Sequence, residues 1–181
     1  MRADAQHNKE LATAAARALF SEKGEALQMD DVAARAGIGV ATVYRVFGSK
    51  ESLLSHVASA SLNECLEQAE AVYRQKGDDA IALDALLRSI ARMLSADAGL
   101  RSMIAKLPSA QRPGSNPELL ERFTGFHARA VANGAIRPDV TEADVRAIIC
   151  GMSAAIGYGA SPELIADAAL HGIGGHAGQP A

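Results

Sequence analysis

Apolar residues recur along this chain at intervals of three and four, the spacing of one helix face, almost from end to end. Leu11, Ala12, Ala15, Ala16, Leu19 and Phe20 stripe a first helix from about Asn8 to Lys23, closed by Gly24; residues 1–7 read as a loose arm. Val32, Ala33 and Ala36 mark a short second helix, and Val43 and Phe47 a third over Val40–Phe47. The fourth opens at Ser49 and carries Leu53, Leu54, Val57, Leu62, Cys65, Leu66, Ala69, Val72 and Tyr73 to about Arg74. It would span roughly 35–40 Å at about 1.5 Å per residue. Ile81, Leu83, Leu86, Leu87, Ile90, Met93 and Leu94 stripe a fifth helix (about Ala80–Ala96), and Leu100, Met103 and Ile104 a sixth (about Gly99–Leu107).

Residues 108–117, bounded by Pro108 and Pro117, form a breaker-rich loop, a connector with the composition to gate a pocket. Asn116–Pro117 then supplies an N-cap and first-turn proline for a seventh helix bearing Leu119, Leu120, Phe123, Phe126, His127, Ala130 and Val131, stopped at Gly134. Thr141 and Asp144 resemble a capping box for an eighth with Val145, Ile148, Ile149, Met152, Ala155 and Ile156, and Ser161–Pro162 opens a ninth with Leu164, Ile165, Ala168, Ala169 and Ile173. The glycine-rich tail from Gly174 reads as disordered. The pattern predicts an all-α protein of about nine helices.

The second and third helices are organised around their junction. Asp30 and Asp31 suit the positive end of a helix, and Gly37 is placed to stop it in a left-handed conformation. Ile38 plugs the corner and Gly39 is a weak N-cap for the third helix. An ordinary αα-hairpin shares this pattern. The immediate restart at Gly48-Ser49-Lys50-Glu51 favours a helix-turn-helix, whose second helix enters the major groove of DNA. With Val43 and Phe47 packed inward, the outer face carries Ala41, Thr42, Tyr44, Arg45 and Val46.

Hydrophobic residues at 49% and charged residues at 22% suit a globular chain, and 181 residues suffice for a proper core. No apolar run is long enough to span a bilayer and the N-terminus lacks a signal-peptide core, so a cytoplasmic location and no membrane partner are expected. Cys65 and Cys150 are expected to fill core gaps. Net charge is −3, unusual for a DNA binder. Residues 1–57 hold seven Lys/Arg and seven Asp/Glu, so a neutral head must cluster its bases on one face to meet phosphates. No GxSxG, Walker A loop, metal-spaced His/Cys set or catalytic cysteine context is present, which argues against an enzyme, a metal or a cofactor.

Ala33-x-x-Ala36-Gly37-Ile38-x-x-x-Thr42-Val43-Tyr44-x-x-Phe47-x-x-Lys50-x-x-Leu53 resembles the DNA-binding signature of the TetR family of bacterial transcriptional regulators. The resemblance covers roughly residues 8 to 57. The family often has Thr at Gln28, Ser at Gly39, Gly at Ala41 and His at Val46. The first two departures weaken side-chain capping, and the last removes a polar group from the outer face. The stretch Gly134–Thr141 is similar to the C-terminal domains of some such regulators, more weakly.

The resemblance implies a three-helix head (residues 1–49) and a helical effector-binding and dimerisation domain (50–181). The DNA-contacting set is then Gln28, Gly39, Val40, Ala41, Thr42, Tyr44, Arg45, Val46 and Lys50. Arg45 matches guanine O6 and N7; Val40, Ala41 and Val46 suit thymine methyls; Thr42, Tyr44 and Lys50 suit phosphates. The eighth and ninth helices carry apolar and small residues on more than one side, which suits either a monomer core or the four-helix bundle of a homodimer that the resemblance implies. It also implies a small-molecule pocket, for which Tyr73, Met93, Met103, Phe123, Phe126, His127 and Met152 are candidates, each equally suited to plain core. The expected function is that of a homodimeric repressor released from a palindromic double-stranded operator by an unknown effector, which shifts a population of head arrangements. The alternative is a constitutive or activating DNA-binding regulator without a ligand pocket.

Overall fold

The computed structural model describes residues 2–106 and 116–175. These hold nine α-helices: α1 Arg2–Lys23, α2 Met29–Ala36, α3 Val40–Phe47, α4 Lys50–Lys76, α5 Asp79–Ala96, α6 Ala98–Lys106, α7 Pro117–Ala132, α8 Glu142–Gly157 and α9 Pro162–Ile173, with a short 3-10 turn at Gly24–Ala26. Among the described residues, one isolated bridge, Ile136 with Gly174, is the only β pairing. The chain is all-α, with an N-terminal helix-turn-helix and a helical C-terminal part.

Most helix limits follow from local chemistry. The Asn116 side chain accepts from Leu119 N at 3.0 Å and starts α7. Thr141 and Asp144 form the reciprocal capping box, Oγ1 accepting from Asp144 N at 3.2 Å and Asp144 accepting from Thr141 N at 2.9 Å. Ser161 Oγ accepts from Leu164 N at 3.3 Å, and Ser49 Oγ from Ser52 N at 3.1 Å. Gly37 ends α2 at φ +68°, where a Cβ would be strained.

The chain forms two compact units. The first contains residues 1–60 and 97–115, the second residues 61–96 and 116–181, so α4 begins in one and ends in the other. In the first unit α1 packs against α2, α3 and α6. Ala12, Ala16, Leu19, Phe20, Leu27, Val32, Val43 and Leu53 are buried there. Each large aliphatic among these contributes about 1.5–3 kcal/mol on burial. Gly99 brings α6 onto α1, since a Cβ there would lie 3.1 Å from the Phe20 ring. Asp97 caps α6 through Leu100 N (2.8 Å) and accepts from Ser21 Oγ of α1 (3.0 Å).

In the second unit α5 is central and packs against α7, α8 and α9. Leu83, Leu86, Leu87 and Ile90 fill its buried face, with Leu66, Phe126, Ile136 and Ile173 around them. Asp79, at the start of α5, is a buried carboxylate. It accepts from Arg129 Nε at 2.8 Å and from Asn133 Nδ2 at 2.7 Å, both from the end of α7.

Three expectations are corrected. Residues 2–7 are not a loose arm but the first turns of α1: Asp4 suits the positive end of the helix and Gln6 donates to Glu10 one turn on, at 2.9 Å. Cys150 does not fill a core gap; it is exposed on α8, while Cys65 is buried. The tail is docked at its start: Gly175 N donates to Ala135 O at 3.0 Å, an approach glycine alone permits, because a Cβ on Gly175 would sit 1.8 Å from Gly134 O. The loop residues 107–115, the tail residues 176–181 and the Met103 side chain lie outside the described residues.

Candidate nucleic-acid interface

Two short helices meet at Gly37–Gly39, with α1 packed against both. Val43 and Phe47 are buried, which turns the opposite side of α3 to water. Val40 is 39% exposed and Tyr44 51%, high for apolar side chains on a packed helix. Ala41 and Arg45 are also exposed, so residues 40, 41, 44 and 45 form one contiguous open arc. Thr42 and Val46 are half-buried at its edge, and Lys50 is half-buried in the first turn of α4. Gln28 and Gly39 are exposed at the starts of α2 and α3, and α3 begins without a side-chain cap because its N-cap is glycine. At the start of α2 Gln28 donates its backbone N–H to Asp31 at 3.0 Å, one half of a capping box.

The charges of this unit are sorted. Arg35 of α2 grips Glu22 of α1 with both terminal nitrogens, at 3.2 and 2.8 Å. Lys23 meets Asp31 at 2.7 Å across the same seam. The Arg35 hydrogen bond holds the Glu22 carboxyl below the usual range, and the Lys23 hydrogen bond, followed by that from Gln28 N–H, does the same for Asp31. Two acids are thereby neutralised at the α1–α2 seam. Arg45 has no hydrogen-bond or ion-pair partner among the described residues, and its guanidinium is the one cationic group on α3. A head of zero net charge thus presents its recognition helix as apolar and cationic. These cross-helix pairs are eight and thirteen residues apart, a separation that carries no helical signal. The Phe47 ring also packs against His56 of α4, centroids 5.6 Å apart.

Of the pocket candidates, Tyr73 and Phe126 are brought together around one cation. Tyr73 and Phe126 flank the Arg129 guanidinium, at 4.0 and 5.3 Å from their ring centroids, and so belong to the Asp79–Arg129 pair. His127 Nε2 lies 3.0 Å from Val140 O, an imidazole partnered to the link before α8. Phe123 and Met93 are half-buried on α7 and α5, and Met152 is buried on α8. Arg122, not singled out in the sequence, ties α7 to α4 through Asn63, Glu67 (3.2 Å) and Glu70 (2.7 Å).

α8 and α9 each keep an uncovered side. On α8 the exposed positions Ala143, Ala147, Cys150, Gly151 and Ala154 fall on one arc, which carries no charge beyond Asp144 in the first turn and is continued by the C-cap Tyr158, 95% exposed. On α9, Leu164 is 63% exposed, in line with Ala168 and Gly172. Among the described residues no helix is long and apolar enough to cross a membrane, and no group of three or more His, Cys, Asp or Glu is placed to hold a metal ion.

A glycine-hinged helix pair, braced from behind and open on its second helix, defines a helix-turn-helix DNA-binding protein. Residues 12–57, which hold the helix-turn-helix and parts of the helices on either side of it, match the family described as bacterial regulatory proteins, tetR family. The fold of the chain is similar to a TetR transcription regulatory protein from Mycobacterium vanbaalenii (27% identity, 96% of this chain and 98% of that one, TM-score 0.60). It is also similar to a TetR transcriptional regulator from Streptomyces coelicolor (25%, 93% and 99%, 0.61). RolR, crystallised with resorcinol, shares the fold at 20% identity over 98% of this chain and 92% of that one, with a TM-score of 0.72. None of the curated proteins matches the chain in sequence.

Proposed function

We propose that this chain is a homodimeric repressor that leaves a palindromic operator when a small molecule binds its C-terminal part. The observation that carries the DNA half is the open arc of α3, with Arg45 unpaired among the described residues while Arg35 and Lys23 are engaged at the α1–α2 seam. In this reading Val40, Ala41 and Arg45 meet bases, while Thr42, Tyr44, Lys50, Gln28 and the backbone at Gly39 meet the phosphate–sugar backbone. Val46 borders the contact. The head corresponds to residues 1–49 and the effector and dimerisation part to 50–181, and the protein works in the cytoplasm beside its DNA.

The dimer is assigned to α8 and α9. Their exposed arcs, Tyr158 and Leu164 included, are the apolar surface a second copy would cover. Ala143, Ala147, Gly151 and Ala154 let two α8 helices approach closely. A two-fold pair of heads then reads half-sites about one helical turn, or a multiple, apart. Effector release draws support from RolR, a neighbour of the same fold that holds resorcinol. The effector site is drawn from Tyr73, Met93, Met103, Phe123, Phe126, His127 and Met152. A second reading, a regulator that needs no ligand, is favoured by the partners that Tyr73, Phe126 and His127 already have.

Selection of bound duplexes from a random pool tests the proposal. A palindrome is the expected product. Duplexes without two-fold symmetry would overturn the dimeric reading. Titration of the bound operator with a panel of small aromatic and acyl compounds then separates effector release from constitutive binding.

A further inference from the structure

We infer that the operator half-site is read through thymine 5-methyl groups next to a guanine, with Val40 and Ala41 taking the methyls and Arg45 the guanine. The inference rests on the DNA-binding reading above and names what that surface recognises. α3 reads Val-Ala-Thr-Val-Tyr-Arg-Val-Phe and contains no Asn, Gln, Asp or Glu. A side-chain amide is the bidentate partner of adenine N6 and N7, and a carboxylate accepts from cytosine N4. This helix has neither. Of its hydroxyls, Thr42 is half-buried at the edge of the arc, and that of Tyr44, exposed within the arc, goes to the phosphate–sugar backbone in the reading above.

The chemistry left to face base edges is aliphatic and guanidinium. Val40 is the first residue of α3, and the N-terminal residues of a recognition helix are those that reach base edges. Ala41 follows it, and Arg45 lies one turn on from Ala41 on the same side. An A·T pair is therefore identified by its thymine methyl, and the adenine opposite goes unread. A G·C pair is identified by the guanine fork alone. It follows that 5-methylcytosine, which presents a methyl at the same place in the groove as thymine, substitutes for thymine better than cytosine does.

The test uses the full-length protein and the duplex recovered by selection, remade with single base changes in both half-sites. Uracil for thymine removes the methyl and leaves every hydrogen-bonding edge intact. At one or two positions per half-site the expected loss is about fourfold for each methyl. At those positions 5-methylcytosine·guanine is expected to bind about fourfold more tightly per half-site than cytosine·guanine. Val40→Ala, an exposed change that leaves the core untouched, should weaken binding to the thymine duplex, lower the thymine-to-uracil ratio and leave the melting temperature unchanged. Ala41→Gly is the second variant. Equal binding of thymine and uracil duplexes at every position overturns the inference, as does a ratio unchanged in both variants. Recovery of no duplex at all overturns the DNA-binding reading and this one with it, whereas a palindrome indifferent to methyls overturns this one alone.

Discussion

Replacing Arg45 by Ala separates a base-reading side chain from a structural one. Arg45 is exposed and has no partner among the described residues, so its removal breaks no contact of the fold. Ala has at least as good a helix propensity, and the expected change in stability is within about 0.5 kcal/mol. The cost falls on binding. A bidentate contact to guanine discriminates by about 1–3 kcal/mol. A two-fold dimer loses two such contacts, so operator affinity should drop by about 2–6 kcal/mol, roughly thirtyfold to twenty-thousandfold. Arg35→Ala is the matched control. Its guanidinium is spent on Glu22, so that change should slightly lower the melting temperature and leave base preference alone. The assay is anisotropy on the selected operator and its single-pair variants at fixed salt, with thermal melts alongside. Equal weakening on all duplexes, unrelated ones included, would refute base reading by Arg45. A larger loss of operator preference in Arg35→Ala would refute the sorting of charges on which the argument stands.

Lys50→Ala should weaken every duplex alike and lower the salt slope by about one per head, measured by titration over a range of ionic strengths. Ala154→Arg places a charge from each copy at the centre of the α8 arc; light scattering should report a monomer, and operator binding should fall with it. Asp79→Ala removes a carboxylate only 2% exposed from an Arg129 that is 31% exposed. Loss of a buried pair costs about 3–5 kcal/mol, and water at Arg129 brings this to about 2–3 kcal/mol, a fall of roughly 4–12 °C in melting temperature. Glu22 and Asp31 titrate below the usual carboxylate range in the folded chain, so their contribution is full above that range and is lost as pH falls through the depressed values. Urea midpoints should therefore drop in acid, and less so in Asp31→Asn.

Much of the fold was legible in the residues themselves. Periods of three and four, the Asn116, Thr141–Asp144 and Ser161 starts, and the Gly37 stop are interactions within a few residues, so they are written locally and found where expected. The side of α3 that faces water followed from Val43 and Phe47 in the same way. Partners drawn from other helices were not legible. Nothing in the spacing of Glu22 and Arg35, or of Asp79, Arg129 and Tyr73, indicates which faces meet. His127 lies on an apolar stripe, and the spacing does not indicate that its partner is Val140 O, from the link before α8.

Local sequence thus determined where helices begin and end and which stripe of each is apolar, because backbone hydrogen bonds and capping involve near neighbours. Tertiary packing alone decided that Asp97 and α6 join the N-terminal unit, that Cys150 faces water, that Gly175 seats against Gly134, and that Arg35 is paired while Arg45, among the described residues, is not. The reason is that an apolar stripe specifies burial but not against what. The choice among faces, and with it the set of charges left over for a partner, is made only when all the helices compete for the same core.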